Sequence, residues 1–257
     1  MVNKMKVSII TATYNSAFTI SDTLQSLNAQ SYLDIEHIII DGASKDNTLD
    51  LVRQQCSRVT KIICEPDRGI YDAMNKGLAL ASGDVIGILN SDDFYLHEDT
   101  IAEVVKAFEA NPGVDMVLGN VDFVRPDDLT RPSRFYSSFN FVSWKMRFGF
   151  MPAHPAAFIK YSAYERVGNY KLDYKIGADF EWFVRALVVH RLPHIKLNQT
   201  LVRMREGGVS TSGLKSYLVS SKEQLRALRE NGVVSNILFV LVRLPIKLFQ
   251  KFFVKVK

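Results

Sequence analysis

The chain has 257 residues, 47% apolar and 23% charged, a mix that fits one globular α/β domain or one such domain with an appendage. A net charge of +5 is too small to argue for nucleic acid, and no stretch approaches ~20 uninterrupted apolar residues, which argues against a conventional spanning helix. Cys56 and Cys64 lack metal or redox spacing and fit thiols of a reducing compartment, and the N-terminus carries no secretory pattern.

In chain order, residues 6–12 (KVSIITA) read as a strand ending at the polar loop Thr13-Tyr14-Asn15-Ser16. Ile20, Leu24 and Leu27 recur at helical spacing, so 21–30 reads as a helix returning over the sheet. Residues 36–40 (EHIII) form a second strand ending at Asp41-Gly42-Ala43-Ser44. Ser44, Asp46 and Asn47 are cap types before the next helix. A third strand, 59–63, leads to the loop Glu65-Pro66-Asp67-Arg68-Gly69 and a helix over 70–81. The apolar run 85–89 then stops at Asn90-Ser91-Asp92-Asp93 and reads as a strand buried on both faces.

Strand–helix alternation of this kind predicts a parallel sheet with right-handed crossovers. Ligands of open α/β sheets sit outside the carboxyl ends of the strands. The polar loops beginning at Thr13, Asp41 and Asp92 are therefore expected to converge on one crevice. Adjacent carboxylates such as Asp92 and Asp93 repel unless a cation or hydrogen bonds compensate. They read either as a divalent metal held against a phosphate or as a cap in a solvated turn. No G-x-x-x-x-G-K-[ST] loop or G-x-G-x-x-G turn is present, which disfavours P-loop enzymes and dinucleotide dehydrogenases. A nucleotide can still bind with Asp41 accepting from a base N–H and Tyr14 packing on a ring. The alternatives are a turn-forming Asp before Gly42 and a buried loop aromatic.

In the second half, 100–111 reads as a helix ended by Pro112-Gly113, with short strands at 116–118 and 121–124. Residues 126–150 mix Pro, Arg, Ser and aromatics without a period and are expected to be a loop-rich acceptor region. His154-Pro155 precedes a strand over 156–159, and 162–167 is a helix closed by Gly168. Phe180, Phe183, Val184, Leu187 and Val188 make a buried helix with Asp179 in its first turn, where the dipole and free N–H groups favour a carboxylate. A simple cap is the alternative there. His154 is read as facing an acceptor, while His190 and His194 read as structural. A strand at 202–205 runs into Glu206-Gly207-Gly208-Val209-Ser210, a glycine-bearing loop able to close on a diphosphate through Arg205 or Ser210, or a plain connector. An amphipathic helix spans 214–230. From Asn231 onward there are five Lys/Arg and no acid. Arg243, Lys247, Lys251 and Lys255 recur beside Leu241, Leu244, Leu248 and Phe252, a pattern that suits an anionic membrane surface or a helix docked on the core.

Taken in order, Thr13-Tyr14-Asn15, the run from Asp41 to Thr48 (DGASKDNT) and Asn90-Ser91-Asp92-Asp93 resemble the N-terminal half of the family 2 glycosyltransferases. Residues 65–77 (EPDRGIYDAMNKG) resemble a subgroup among bacterial surface-polysaccharide enzymes. The resemblance implies a GT-A fold: a Rossmann-like, mostly parallel α/β sheet flanked by helices, here with a helical C-terminal tail. It further implies a nucleotide-diphosphate sugar donor, a divalent metal (Mn2+ or Mg2+) and inverting hexosyl transfer; the basic tail supports a lipid-linked glycan acceptor at the cytoplasmic face of the cell membrane. Thr13, Tyr14 and Asp41 would line the nucleoside pocket; Asp67, Arg68 and Asn75 would lie near the ribose or donor sugar; Ser91 and Asp92 would meet the donor, with Asp92 on the metal. The family's Asp-x-Asp is here Asn90-Ser91-Asp92, and its Glu-Asp pair is Ala178-Asp179, with Asp179 in the base position. The implied organisation is a glycosyltransferase domain over 1–212, split near 125 into donor and acceptor halves, and a basic membrane-associating tail over 213–257. The two lost carboxylates keep a second reading open, a catalytically weak sugar-nucleotide-binding scaffold.

Overall fold

The computed structural model describes residues 5–55, 57–207 and 214–242. Its first half alternates β1 (Val7–Thr13), α1 (Ile20–Asn28), β2 (Ile35–Asp41), α2 (Thr48–Gln55), β3 (Val59–Cys64), α3 (Ile70–Leu80) and β4 (Val85–Ile88). Every residue of β1 and β4 is buried, the polar Ser8, Thr11 and Thr13 of β1 included, as strands covered on both faces require. The four strands are parallel in the order β3-β2-β1-β4. Thr13 pairs with Asp41, Asp41 with Cys64 and Ile10 with Ile88, so the loops after all four strands leave from one sheet edge.

The second half adds β5 (Phe94–Tyr95), α4 (Thr100–Ala110), β6 (Met116–Arg125), β7 (Asp128–Tyr136), β8 (Ala157–Lys160), α5 (Tyr161–Val167), α6 (Ala178–Val184), β9 (His194–Arg205), α7 (Leu214–Glu230) and α8 (Ile237–Leu241). Past β4 the sheet runs β8-β6-β9-β5, with β7 on β6, and becomes mixed. β8 is antiparallel to β4 and to β6, whereas β6 and β9 are parallel. The expected loop region 126–150 thus contains a nine-residue strand, β7, in a hairpin with β6. Pro132 hid it. The residue pairs with Val124 beside a register shift, the kind of edge position where a missing N–H is tolerated. β9 is likewise far longer than the four residues expected, because its amino half is too polar to read as a strand.

β1 alternates its side chains between two cores. Ile10 and Ala12 pack with α3, α5, α6 and α7, while Val7 and Ile9 pack with α4. A Cβ on Gly77 would lie 2.3 Å from Ile10 Cγ2, so α3 sits closer on β1 than any side chain at that position allows. Phe180, Trp182 and Phe183 of α6 are fully buried, each worth ~1.5–3 kcal/mol of apolar transfer. Glu181, also fully buried, is paired with Arg185 and Lys171 at 2.9–3.0 Å, which fixes the rotation of α6 about its axis. The packing does not break near 212: Leu225, Ala227 and Leu228 of α7, with Val233 and Val240, belong to the same core as α6. The basic repeat from Arg243 onward lies outside the described residues. No described helix is long and apolar enough to cross a membrane.

Candidate active site

The loops at the shared edge are tied to one another. The Asn15 N–H donates to Ser44 Oγ, the Lys45 N–H to Asn15 Oδ1 and the Ser16 N–H to Thr48 Oγ1, each at 2.8 Å. Ser16 Oγ meets Ser91 Oγ, also at 2.8 Å, joining the first loop to the fourth. Asp41 is fully buried. Its Oδ1 accepts from the Ser44 N–H at 2.9 Å and the Cys64 thiol at 3.3 Å, and its Oδ2 from the Ser44 hydroxyl at 2.5 Å. Its carboxylate therefore orders its own loop. Tyr14 is 61% exposed at the rim, and Thr13 Oγ1 is buried without a hydrogen-bond partner. A Cβ on Gly42 would lie 2.6 Å from Asp67 Oδ2 and 3.4 Å from the Tyr14 ring, so Gly42 leaves the gap in which those two groups approach. Arg68 is largely exposed and paired with Asp72 at 3.0 Å. Asn75 spends its amide on the Tyr170 backbone, donating to the carbonyl at 2.8 Å and accepting from the N–H at 3.0 Å. It joins α3 to the segment before α6.

Asp92 and Asp93 differ sharply. Asp93 is buried and accepts from Asn90 Nδ2 at 3.0 Å, while its carbonyl accepts from Thr23 of α1 at 2.8 Å. Burial first, and then the charge of Asp92, push the Asp93 carboxyl well above the usual range. Asp92 is half-buried, and burial raises it against the pull of the Arg205 guanidinium. Arg205, expected to touch phosphate, is itself buried; it donates to the Asp92 carbonyl at 2.7 Å and pairs with Asp22. It holds the turn from β9. Ser210 lies outside the described residues. Among the described residues no cluster of three or more His, Cys, Asp or Glu is arranged to hold a metal. Yet Asn90 Oδ1, two residues before the half-buried Asp92, is buried with no hydrogen-bond partner. One carboxylate and a neutral oxygen fit a hard cation that takes its other ligands from a diphosphate and water. Restoring the carboxylate by Asn90→Asp is expected to cost ~1–3 kcal/mol without metal, because it removes the donor to buried Asp93. A lower urea midpoint checks this.

Asp179 sits in the first turn of α6, half-buried. Its Oδ1 accepts from the Phe180 N–H at 2.7 Å and lies 3.2 Å from Tyr71 Oη. Burial raises its pKa; His154, the Phe180 N–H and the Tyr71 hydroxyl oppose the rise. His154 is not open to an acceptor. It is buried, with its Nε2 2.9 Å from Tyr170 Oη, and burial holds its own pKa down. Gly87 of β4 pairs with Phe158, so the His154–Ala156 turn lies just beyond the carboxyl end of β4, alongside residues 89–91.

Contacts thus tie Ser91 to Ser16 at the sheet edge, Asp67 accepts from the Gly69 N–H at the start of α3, and Tyr71 in the first turn of the same helix reaches Asp179. Two positioning residues escaped the sequence. Tyr71 of α3 holds the Ile176 carbonyl as well as Asp179. Glu223 of α7 accepts from the N–H groups of Lys175, Ile176 and Gly177 at 2.8–2.9 Å, fixing the start of α6. Neither carries a local signal, since the partners stand about a hundred and about fifty residues away. A cavity of about 440 Å3, lined in part by Arg68, Tyr71, Tyr174 and Lys175, opens on the flank, and its Tyr71 wall is one contact from the carboxylate. Tyr71→Phe is expected to move the acid limb of the kcat/KM profile to higher pH, because the carboxylate loses a donor that stabilises its charged form. A profile that stays in place would dismiss the contact.

The family model described as glycosyl transferase family 2 matches residues 8–168. An uncharacterized glycosyltransferase of Mycobacterium tuberculosis (strain CDC 1551 / Oshkosh) is 34% identical over 191 residues, 74% of this chain and 71% of its own length. A PGL/p-HBAD biosynthesis glycosyltransferase of Mycobacterium bovis (strain BCG / Pasteur 1173P2) is 29% identical over 195 residues, 73% of either chain. Two solved structures share the fold at low identity. Staphylococcus aureus TarS 1-349 in complex with UDP-GlcNAc has a TM-score of 0.67 at 18% identity, over 87% of this chain and 66% of that one. The mannosyltransferase PcManGT from Pyrobaculum calidifontis, in complex with GDP-Man and Mn2+, has a TM-score of 0.65 at 23% identity, over 89% and 64%. This chain therefore spans just under two thirds of both.

Proposed function

The chain belongs to the family 2 glycosyltransferases, and from that premise we propose that it transfers a hexosyl group from a nucleoside-diphosphate sugar to a hydroxyl of a lipid-linked glycan, with inversion, in surface-polysaccharide assembly. The donor class is supported by the complexes of the two structural neighbours. A biosynthetic role is supported by the relative named for PGL/p-HBAD biosynthesis. The observation that carries the mechanism is the junction of Tyr71 with Asp179, which ties a half-buried carboxylate to the helix that follows the Asp67 loop.

In this reading Thr13, Tyr14, Asp67 and Ser91 line the donor, and Asp41 shapes their loop. Asp92 would hold a divalent metal, with Arg205 fixing its backbone; when bound, that ion neutralises charge on the diphosphate. The acceptor oxygen attacks the anomeric carbon from the face opposite the diphosphate. Its proton passes to Asp179, whose Oδ2 is left for it because Oδ1 is engaged by Phe180 and Tyr71. The new C–O bond forms as the bond to the diphosphate breaks, and the diphosphate leaves with the electron pair. Residues up to about 125 serve the donor and 126–212 the acceptor. The basic segment toward the C-terminus keeps the enzyme on the inner face of the membrane.

Asn90 and Ala178, each standing where the family has an acid, favour a second reading: a sugar-nucleotide-binding scaffold with little turnover. A thermal-shift screen of UDP-, GDP- and dTDP-sugars with and without Mn2+ tests both. A ligand at 100-fold its Kd adds ~2.7 kcal/mol, which is ~5–10 °C for a chain of this size. One donor class is expected to give such a shift, larger with Mn2+, and to release its free nucleoside diphosphate. A shift without turnover supports the scaffold, and no shift with any donor rejects both.

A further inference from the structure

Three stretches far apart in sequence meet on one side of the molecule: the 3-10 turn Ser143–Phe148, the single π turn Arg185–Val189 that ends the helix of Asp179, and α8. Phe148 stacks on Phe239 with centroids 5.0 Å apart, and Trp144 packs edge-on against Phe148 at 5.9 Å. The Ser235 hydroxyl donates to the Arg147 carbonyl at 2.6 Å. Trp144 and Arg147 also share a cavity of about 420 Å3 with Leu187 and Arg191. On this side large apolar groups face solvent: Trp144 is 60% exposed, Leu238 71% and Val234 79%. Of the five residues of α8 only Val240 is buried, so the helix turns most of an apolar surface outward.

The same side carries charge of one sign. Residues 139–150, 186–194 and 231–242 contain no Asp or Glu, and they bring Lys145, Arg147 and Arg191 together. Among the described residues none of these three forms an ion pair. Among the described residues Lys145 donates only to the Asn140 carbonyl, at 2.9 Å, and meets no carboxylate. The sequence continuing from α8 adds five Lys/Arg and no acid. Aromatic and aliphatic groups rimmed by unpaired cations match a surface with an apolar interior and anionic headgroups. A second copy does not match, because a twofold contact sets this patch of cations without acids against the same patch.

We propose that this face of the folded body seats on an anionic lipid bilayer, with Trp144 and Leu238 entering the headgroup boundary and Lys145, Arg147 and Arg191 meeting its phosphates. The inference rests on the membrane part of the proposed function and makes it specific: the body docks, and not the C-terminal segment alone. Val189, on the docked side, ends the π turn that continues the helix bearing Asp179 in its first turn. An acceptor carried by the membrane would then lie within reach of the carboxylate.

The chain has two tryptophans, and Trp182 is fully buried, so a change in emission on docking reports Trp144. The full chain is mixed with phosphatidylcholine vesicles with and without phosphatidylglycerol. Emission is expected to shift to the blue and to be quenched by brominated phosphatidylcholine only when phosphatidylglycerol is present. Trp144→Phe should abolish the quenching but not sedimentation with the vesicles. Each cation removed should weaken partitioning about 5-fold, so Arg147→Ala with Arg191→Ala should weaken it roughly 25-fold. Sedimentation with an unchanged Trp144 spectrum overturns the docking face and leaves the C-terminal segment as the anchor. No sedimentation overturns both. A blue shift on concentrating the protein without lipid, at dimer mass, overturns the proposal in favour of self-association. None of these readouts involves sugar transfer, so the role of Asp179 stands or falls separately.

Discussion

Asp179→Asn is expected to lower turnover of the donor about 10³-fold while leaving donor-induced thermal stabilisation within ~1 °C of the parent. The amide keeps the volume and an oxygen to accept from the Phe180 N–H and the Tyr71 hydroxyl, so α6 has no reason to move. What disappears is the basic oxygen. The pH dependence supplies an internal check. Burial raises the Asp179 pKa, and a base works only when ionised, so the parent's acid limb should lie above the ordinary carboxylate range near 4. For stability the sign is the reverse of the usual carboxylate case. A folded pKa above the unfolded one contributes stability that is complete below the unfolded value and lost as pH rises through the folded value. At neutral pH the ionised side chain therefore weighs against the fold, and the Asn variant should melt at or above the parent temperature. An Asn variant that melts lower, or that turns over at the parent rate, removes Asp179 from the base position.

Asp92→Ala is expected to abolish the Mn2+ dependence of donor-induced stabilisation and to weaken metal affinity by more than ~100-fold. Removing an outer partner of a ligand already costs ~10–100-fold, and here the sole accessible carboxylate of the turn is lost. Asp93 cannot take over, since it is buried and bonded to Asn90. The turn itself should persist. It is held through backbone groups, the Asp92 carbonyl by Arg205 and the Asp93 carbonyl by Thr23, and neither bond uses the Asp92 side chain. Circular dichroism and the unliganded melting temperature of the variant should match the parent. A variant whose donor binding still responds to Mn2+ would place the ion elsewhere.

The donor half was legible because its information is local. Each strand is a short, mostly apolar or β-branched stretch, each loop begins where that stretch ends, and parallel registry then forces those loops to one edge. Asp92 and Asp179, one at a strand end and one in a first helical turn, each read alone as a cap or turn, and the resemblance is what singled them out. The roles of Asp41, Asn75, His154 and Arg205 were harder to read. Their residue types, or for Asn75 the resemblance, suggested contact with a ligand, and the structure spends their polar groups inside the protein. A side chain's chemistry is written in the sequence, but its partner is not. The β7 strand was hidden by Pro132 for a related reason: whether a proline breaks a strand depends on the neighbour at that register.

The sequence by itself determined the alternating α/β order and the edge where the polar loops gather, since both follow from periodicity along the chain, and its ordered motifs carry the resemblance that the family model and the relatives bear out. Only the tertiary structure decided which carboxylates stay reachable, that Tyr71 and Glu223 hold the start of α6, and that the helix after residue 213 is part of the core. Those outcomes depend on contacts between segments about fifty to more than a hundred residues apart. Burial and hydrogen-bond partners are properties of the packed chain, and no local pattern carries them.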